Sequence, residues 1–210
     1  MGKRGWLAPA ALVLGTAAVW PWRHLLTAGT IAAWSPRQAL PAAAFLIALY
    51  GAKSLSVAFP LSVLEAAGGL LFPLPAALAV NLLGVGVAQA VPFFLGRRER
   101  GRPDVLLTRR PGLASLSRIS TERPGRTVFL LRLGGASPGD LVSLYLGAAG
   151  VPWRAYLVPG LLGSLPRVAA ATVLGSALWD IGGRRFWLSL GAGAALTTAA
   201  LVLWAVSRRR

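Results

Sequence analysis

The chain has 210 residues, of which 55% are hydrophobic and only 13% charged, a balance with too little polar surface for a soluble domain and typical of a membrane protein. The formal charge of +16 does not point to nucleic acid as a partner, because the basic residues collect at the ends of apolar runs, as in cytoplasmic loops of membrane proteins. With no cysteine and a single histidine, His24, disulfides, thiol nucleophiles and metal clusters are excluded.

The first apolar run, residues 6–22, follows Lys3 and Arg4 and ends in Trp20 and Trp22, residues suited to the membrane interface. No small-x-small pattern closes its core, so a retained helix is expected rather than a cleaved signal peptide. A second, shorter run at 39–50 is closed by Lys53. Residues 54–96 hold one charge, Glu65, and are too long for a single span of about 20 residues. Pro60, Gly68, Gly69, Pro73 and Pro75 interrupt them. This predicts a broken, re-entrant helical hairpin at 55–72 and a full span at 74–96.

Residues 97–126 carry nine arginines against Glu99, Asp104 and Glu122. They read as a cytoplasmic loop with affinity for anionic lipid, with a short amphipathic helix near 113–119. Next comes FLLRLGGASPGDLVSLYLGAAG at 129–150, apolar but broken by Gly-Gly and Pro138, a second re-entrant hairpin. A span at 153–179, a turn at 180–185 and a last span at 186–206 complete the chain.

The expected fold is an all-α integral membrane protein with about five transmembrane helices plus two opposed re-entrant hairpins. It divides into two N-terminal helices (1–54), a core (55–180) and a C-terminal span with a basic tail (181–210). With the long loop and the C-terminus inside, 15 Lys and Arg fall inside and five, Lys53 among them, outside. This excess predicts a multi-pass membrane protein with a cytoplasmic C-terminus, and five spans then put the N-terminus outside.

The core repeats itself. Pro60 with Pro138 and Gly69 with Gly147 share one spacing in the sequence; Pro73 with Pro152, Gly84 with Gly163, and Gly96 with Gly175 share a spacing one position longer. Each unit of one re-entrant piece and one span crosses an odd number of times, so the second copy is inverted. Inverted repeats with broken helices are the pattern of secondary transporters, whose sites lie at the repeat interface.

Four ionisable residues fall at membrane depth: Glu65, Arg132, Asp140 and Arg167. A charge there costs on the order of 3 kcal/mol on insertion scales, so such groups pair or face a wet cavity. Arg132 and Arg167 suit bidentate contact with a lipid phosphate, helped by the helix N-termini after Pro60 and Pro138, with Glu65 or Asp140 as a protonatable partner. The competing reading pairs Arg132 with Asp140 and Arg167 with Glu65 as structural bridges. Enzymatic chemistry is not expected: the chain has no general acid-base pair, no Ser-His arrangement and no phosphate-binding Gly-rich loop, and it calls for no cofactor.

The stretches FPLSVLEAAGGLLFP (59–73), RLGGASPGDLVSLYLGAAG (132–150) and LLGSLPRVAAATVLGSAL (161–178) resemble the VTT-domain or DedA-like membrane proteins, also called SNARE-associated Golgi proteins. The Tvp-type bacterial branch looks most similar. The resemblance covers about 55–180 and implies two facing re-entrant loops and lipid translocation, by flipping polyprenyl-phosphate carriers or scrambling phospholipids. Arg132 matches the arginine that opens the family's second re-entrant motif. Where DedA-type members carry a further arginine this chain has Pro138, and Glu65 stands where the Tvp-type pattern has a small or hydroxyl residue. A structural or interaction protein whose hairpins and basic loop serve packing or lipid binding is the alternative; solute transport and a homo-oligomeric state stay open.

Overall fold

A computed structural model describes residues 27–56, 60–98, 124–134 and 139–178, with isolated positions between 183 and 202. The first apolar run, almost all of the Arg-rich segment, residues 135–138 with Pro138, and most of the last run lie outside the described residues. The described residues form seven helices: α1 (Ala28–Trp34), α2 (Ala39–Lys53), α3 (Leu61–Leu71), α4 (Leu74–Arg98), α5 (Pro124–Gly134), α6 (Gly139–Ala148) and α7 (Trp153–Ala177). Among the described residues there is no strand.

The boundaries follow local chemistry. The sequence reading missed α1, a short helix whose N-terminus is capped by the Thr27 hydroxyl accepting from the Thr30 N–H at 3.2 Å. Helix α2 buries Ala42, Leu46 and Tyr50, a four-residue spacing that lines one face. Pro60 sits in extended backbone immediately before α3, and Phe72, also extended, ends it ahead of Pro73. Helix α5 begins at Pro124, inside the stretch read as a loop; proline at a first helical position forfeits no hydrogen bond. Pro92 lies within α4, and Pro159 and Pro166 within α7, without ending either helix.

Length separates two kinds of helix. At 25 residues each, α4 and α7 reach about 37 Å, more than the roughly 30 Å of a bilayer's hydrocarbon core. Among the described residues they are the two helices long and apolar enough to cross a membrane. Helices α3 and α6, with 11 and 10 residues, reach only about 15–17 Å.

The packing is reciprocal between halves: α3 packs chiefly on α7, and α6 on α4. Glycines permit both crossings. A Cβ on Gly69 of α3 would overlap the Thr172 carbonyl of α7, and one on Gly147 of α6 would overlap the Phe93 carbonyl of α4. Phe93 and Thr172 are themselves counterparts at the longer of the two repeat spacings. From the long helices, Gly175 meets Ala66 and Gly96 meets Leu144, and these partners are related by the shorter spacing. Gly84 lies under Tyr50 and Gly163 under Phe129, partners related by the longer one. The repeat read from Pro and Gly spacing is thus a repeat of contacts, and it includes α2 and α5 as counterparts, since α2 packs on α4 as α5 packs on α7.

Because the obstructing atoms at these crossings are backbone, relief requires helices to separate. Gly69→Ala and Gly147→Ala should each lower stability by about 1–3 kcal/mol, read as a fall in melting temperature of the detergent-purified protein. Gly86→Ala is the control: its nearest neighbour, the Leu161 side chain, would lie at 3.9 Å, and it should be neutral or stabilising.

Candidate functional site

Where the two short helices begin, they face each other across a cavity of about 300 Å³. Leu61 and Ser62, the first residues of α3, line it from one half; Gly139 and Asp140, the first of α6, line it from the other. Both helix N-termini, the positive ends of the helix dipoles, therefore border the cavity. Lys53 at the end of α2, Arg132 near the end of α5, and Arg167 within α7 complete the charged lining, with Gln89 and Ser164 as neutral polar members.

Three of the four ionisable residues singled out in the sequence thus meet at one cavity, and the fourth, Glu65, lies directly behind it. Glu65 is fully buried and accepts from Arg167 Nη1 at 2.5 Å, while the Arg167 side chain stays 40% exposed. The expected Arg132–Asp140 pair does not form. Asp140 pairs instead with Lys53, a residue the charge count had placed at an outer flank but whose side chain is only 9% exposed. The reason is geometric: α2 ends beside the first turn of α6, where its terminal lysine meets the aspartate.

Arg132 is held by neutral groups. Its Nη2 donates to Ser143 Oγ at 2.5 Å and to the Tyr156 hydroxyl at 3.0 Å. Ser143 donates in turn to the Gly139 carbonyl at 2.7 Å, and the Tyr156 hydroxyl lies 3.1 Å from the Gln89 carbonyl. The Tyr156 ring stacks on Phe93 at 4.3 Å between centroids, which fixes its position. A side chain at Gly139 would overlap the guanidinium. Among the described residues, Arg132 has no carboxylate partner, and its buried Nε has no hydrogen-bond partner.

Pro60 precedes the first turn of α3, and Gly69 and Gly147 are the helix crossings described above; Pro138 lies outside the described residues. A second polar cluster braces the site from behind. Asn81 Nδ2 donates to the Glu65 carbonyl and to Thr172 Oγ1, both at 2.8 Å, and its Oδ1 accepts from the Tyr50 hydroxyl at 3.0 Å. Asn81 therefore ties α2, α3, α4 and α7 together beneath the cavity.

The VTT domain family model matches residues 59–177, the stretch that supplies every lining residue except Lys53. The chain belongs to the VTT-domain family. No curated protein and no solved structure matches it. Membership makes this a membrane protein of the DedA-like type, consistent with the two long apolar helices. Ser62, Gln89 and Tyr156 within the VTT domain, and Lys53 just ahead of it, escaped the sequence reading as site residues. Lys53 had one usable signal, since it precedes Arg132 by the longer spacing of the repeat.

The fully buried Glu65 gives a test of the pairing. Arg167→Met leaves its carboxylate buried and without a cation, and should destabilise the protein by about 3–5 kcal/mol. Arg167→Met combined with Glu65→Gln should recover most of that loss, as read from melting temperatures in a double-mutant cycle.

Proposed function

We propose that this protein moves a phosphate-bearing lipid, such as a phospholipid or a polyprenyl phosphate, across a bacterial cytoplasmic membrane. One observation carries the reading: a cavity between the two halves holds two helix N-termini and an arginine with no carboxylate partner among the described residues. Such a site is built for an anion. Leu61, Leu131 and Val142 also line it, so the cavity joins a charged centre to apolar walls, as a lipid headgroup with its glycerol or prenyl neck requires.

The placement in the bilayer follows from lengths. Helices α3 and α6 each cover about half the hydrocarbon core and belong to the two opposed re-entrant hairpins at 55–72 and 129–150. Helices α4 and α7 are full spans, inverted relative to each other, and the runs at 6–22, 39–50 and 186–206 supply the rest of five spans. The protein is multi-pass with a cytoplasmic C-terminus. Its functional core is 55–180, flanked by 1–54 and 181–210, and the Arg-rich 97–126 loop rests on anionic lipid. In this scheme Arg132 grips the phosphate, Arg167 and Asp140 border it, and Glu65 holds Arg167 in place.

Reconstitution into liposomes with fluorescent phospholipids and a polyprenyl phosphate tests the reading. Protein-dependent transbilayer movement is expected. Arg132→Ala should slow it about 10- to 100-fold, the worth of one charge-assisted contact, with unchanged yield of folded protein. No movement above protein-free vesicles for any of these lipids rejects translocation. Loss of yield in step with loss of movement assigns Arg132 to packing, as the structural alternative has it.

A further inference from the structure

The contact repeat extends to the charged positions and fails there in an informative way. At the same two spacings, Lys53 corresponds to Arg132, Ser62 to Asp140, Glu65 to Ser143 and Ala88 to Arg167. Each short helix thus carries one acid and one serine on adjacent turns, in opposite order: Ser62 then Glu65 on α3, Asp140 then Ser143 on α6. The first cation, Lys53, meets the acid of the other half, Asp140. The counterpart of that acid is Ser62, which lines the same cavity as Arg132 and brings no charge. The second ion pair, Arg167–Glu65, has as its counterpart the neutral combination Ala88 and Ser143. Among the described residues the reciprocal arrangement therefore supplies two carboxylates to three cations, leaving one positive charge, centred on Arg132.

We propose that this residual charge makes the cavity selective for a ligand with one net negative charge, a phosphate diester rather than a doubly charged phosphate monoester, and that Ser62 is the residue that sets the selectivity. The inference rests on the phosphate-headgroup reading above and narrows its substrate class to diesters such as phospholipids, away from a polyprenyl phosphate, which is a monoester. A diester brings the lining to neutrality with both ion pairs intact. A dianion leaves one negative charge in excess in a partly dehydrated site, where an unbalanced unit charge changes affinity by about tenfold or more. Ser62 is the position at which a carboxylate would complete the pairing of Arg132 as Asp140 completes that of Lys53.

The test is ligand-induced thermal stabilisation of the full chain in a nonionic detergent, near pH 8.5, where a phosphate monoester is doubly charged. The probes are dihexanoyl phosphatidylglycerol, a diester, and dihexanoyl phosphatidic acid, a monoester; dimethyl phosphate supplies the diester charge without acyl chains. The wild-type protein should be half-stabilised by the diester lipid at about one-tenth the concentration needed for the monoester. Ser62→Asp should keep the unliganded melting temperature and lose stabilisation by either lipid, whereas Ser62→Asn should retain the diester preference. Asp140→Asn should shift preference toward the monoester; if that variant does not fold, Ser62→Asp and Ser62→Asn decide. Equal stabilisation by both lipids, a monoester preference, or wild-type binding by Ser62→Asp overturns the charge rule, even when Arg132→Ala abolishes binding and the phosphate site itself stands. Stabilisation of the wild type by neither lipid and not by dimethyl phosphate overturns the phosphate reading and the selectivity with it. Dimethyl phosphate acting as well as the lipid keeps the charge rule and assigns the ligand to free diesters.

Discussion

Two short helices must lie directly against two long ones, backbone on backbone, for anything else in this molecule to exist. Gly69 and Gly175 make one crossing and Gly147 and Gly96 the other, and each joins a helix of one half to a helix of the other. In a bilayer the solvent is as apolar as the side chains, so association depends on close van der Waals fit. Small residues at the crossings supply that fit. They also place the beginnings of α3 and α6 at one cavity, because each short helix is anchored by its far end to the opposite half.

Once the helix starts are fixed there, the electrostatics follow. Buried charges in apolar surroundings need partners, and the two carboxylates find theirs across the interface: Lys53 with Asp140, Glu65 with Arg167. Both pairs tie one half to the other, as does the Asn81 cluster, so polar links between the halves gather at and behind the cavity wall. Arg132 differs. Its partners Ser143 and Tyr156 are hydroxyls within its own half, groups that orient a guanidinium without neutralising it. The same residues that hold the halves together thus leave one charge uncommitted at their junction.

Much of this was legible in the sequence because membrane depth makes polar residues conspicuous. Glu65, Arg132, Asp140 and Arg167 stood out against apolar neighbours, and all four are at the cavity or directly behind it. The glycine spacing anticipated the crossings because only glycine allows such approach. What escaped was partner choice. Lys53 follows an apolar run and looks like any interfacial lysine; only the three-dimensional end point of α2 reveals that it faces Asp140. Tyr156 and Gln89 are ordinary members of a span until Arg132 and Ser164 lie beside them. Helix α1 rests on a threonine cap too local to register in a scan for apolar runs, and Pro124 read as loop chemistry although it opens a helix.

The cross-half pairing also has a consequence for biosynthesis. Glu65 and Arg167 are 102 residues apart in the chain. At the usual rate of about 5–20 residues per second of synthesis, the acid leaves the ribosome roughly 5 to 20 s before its cation. Through that interval α3 has neither its ion pair nor the α7 surface that its glycine face fits. A short helix carrying an unpaired carboxylate is a poor substrate for lateral release into lipid. The first half of this protein is therefore best viewed as cargo that the insertion machinery must shelter until the second half arrives, and the repeat, though it looks like two modules, matures as one.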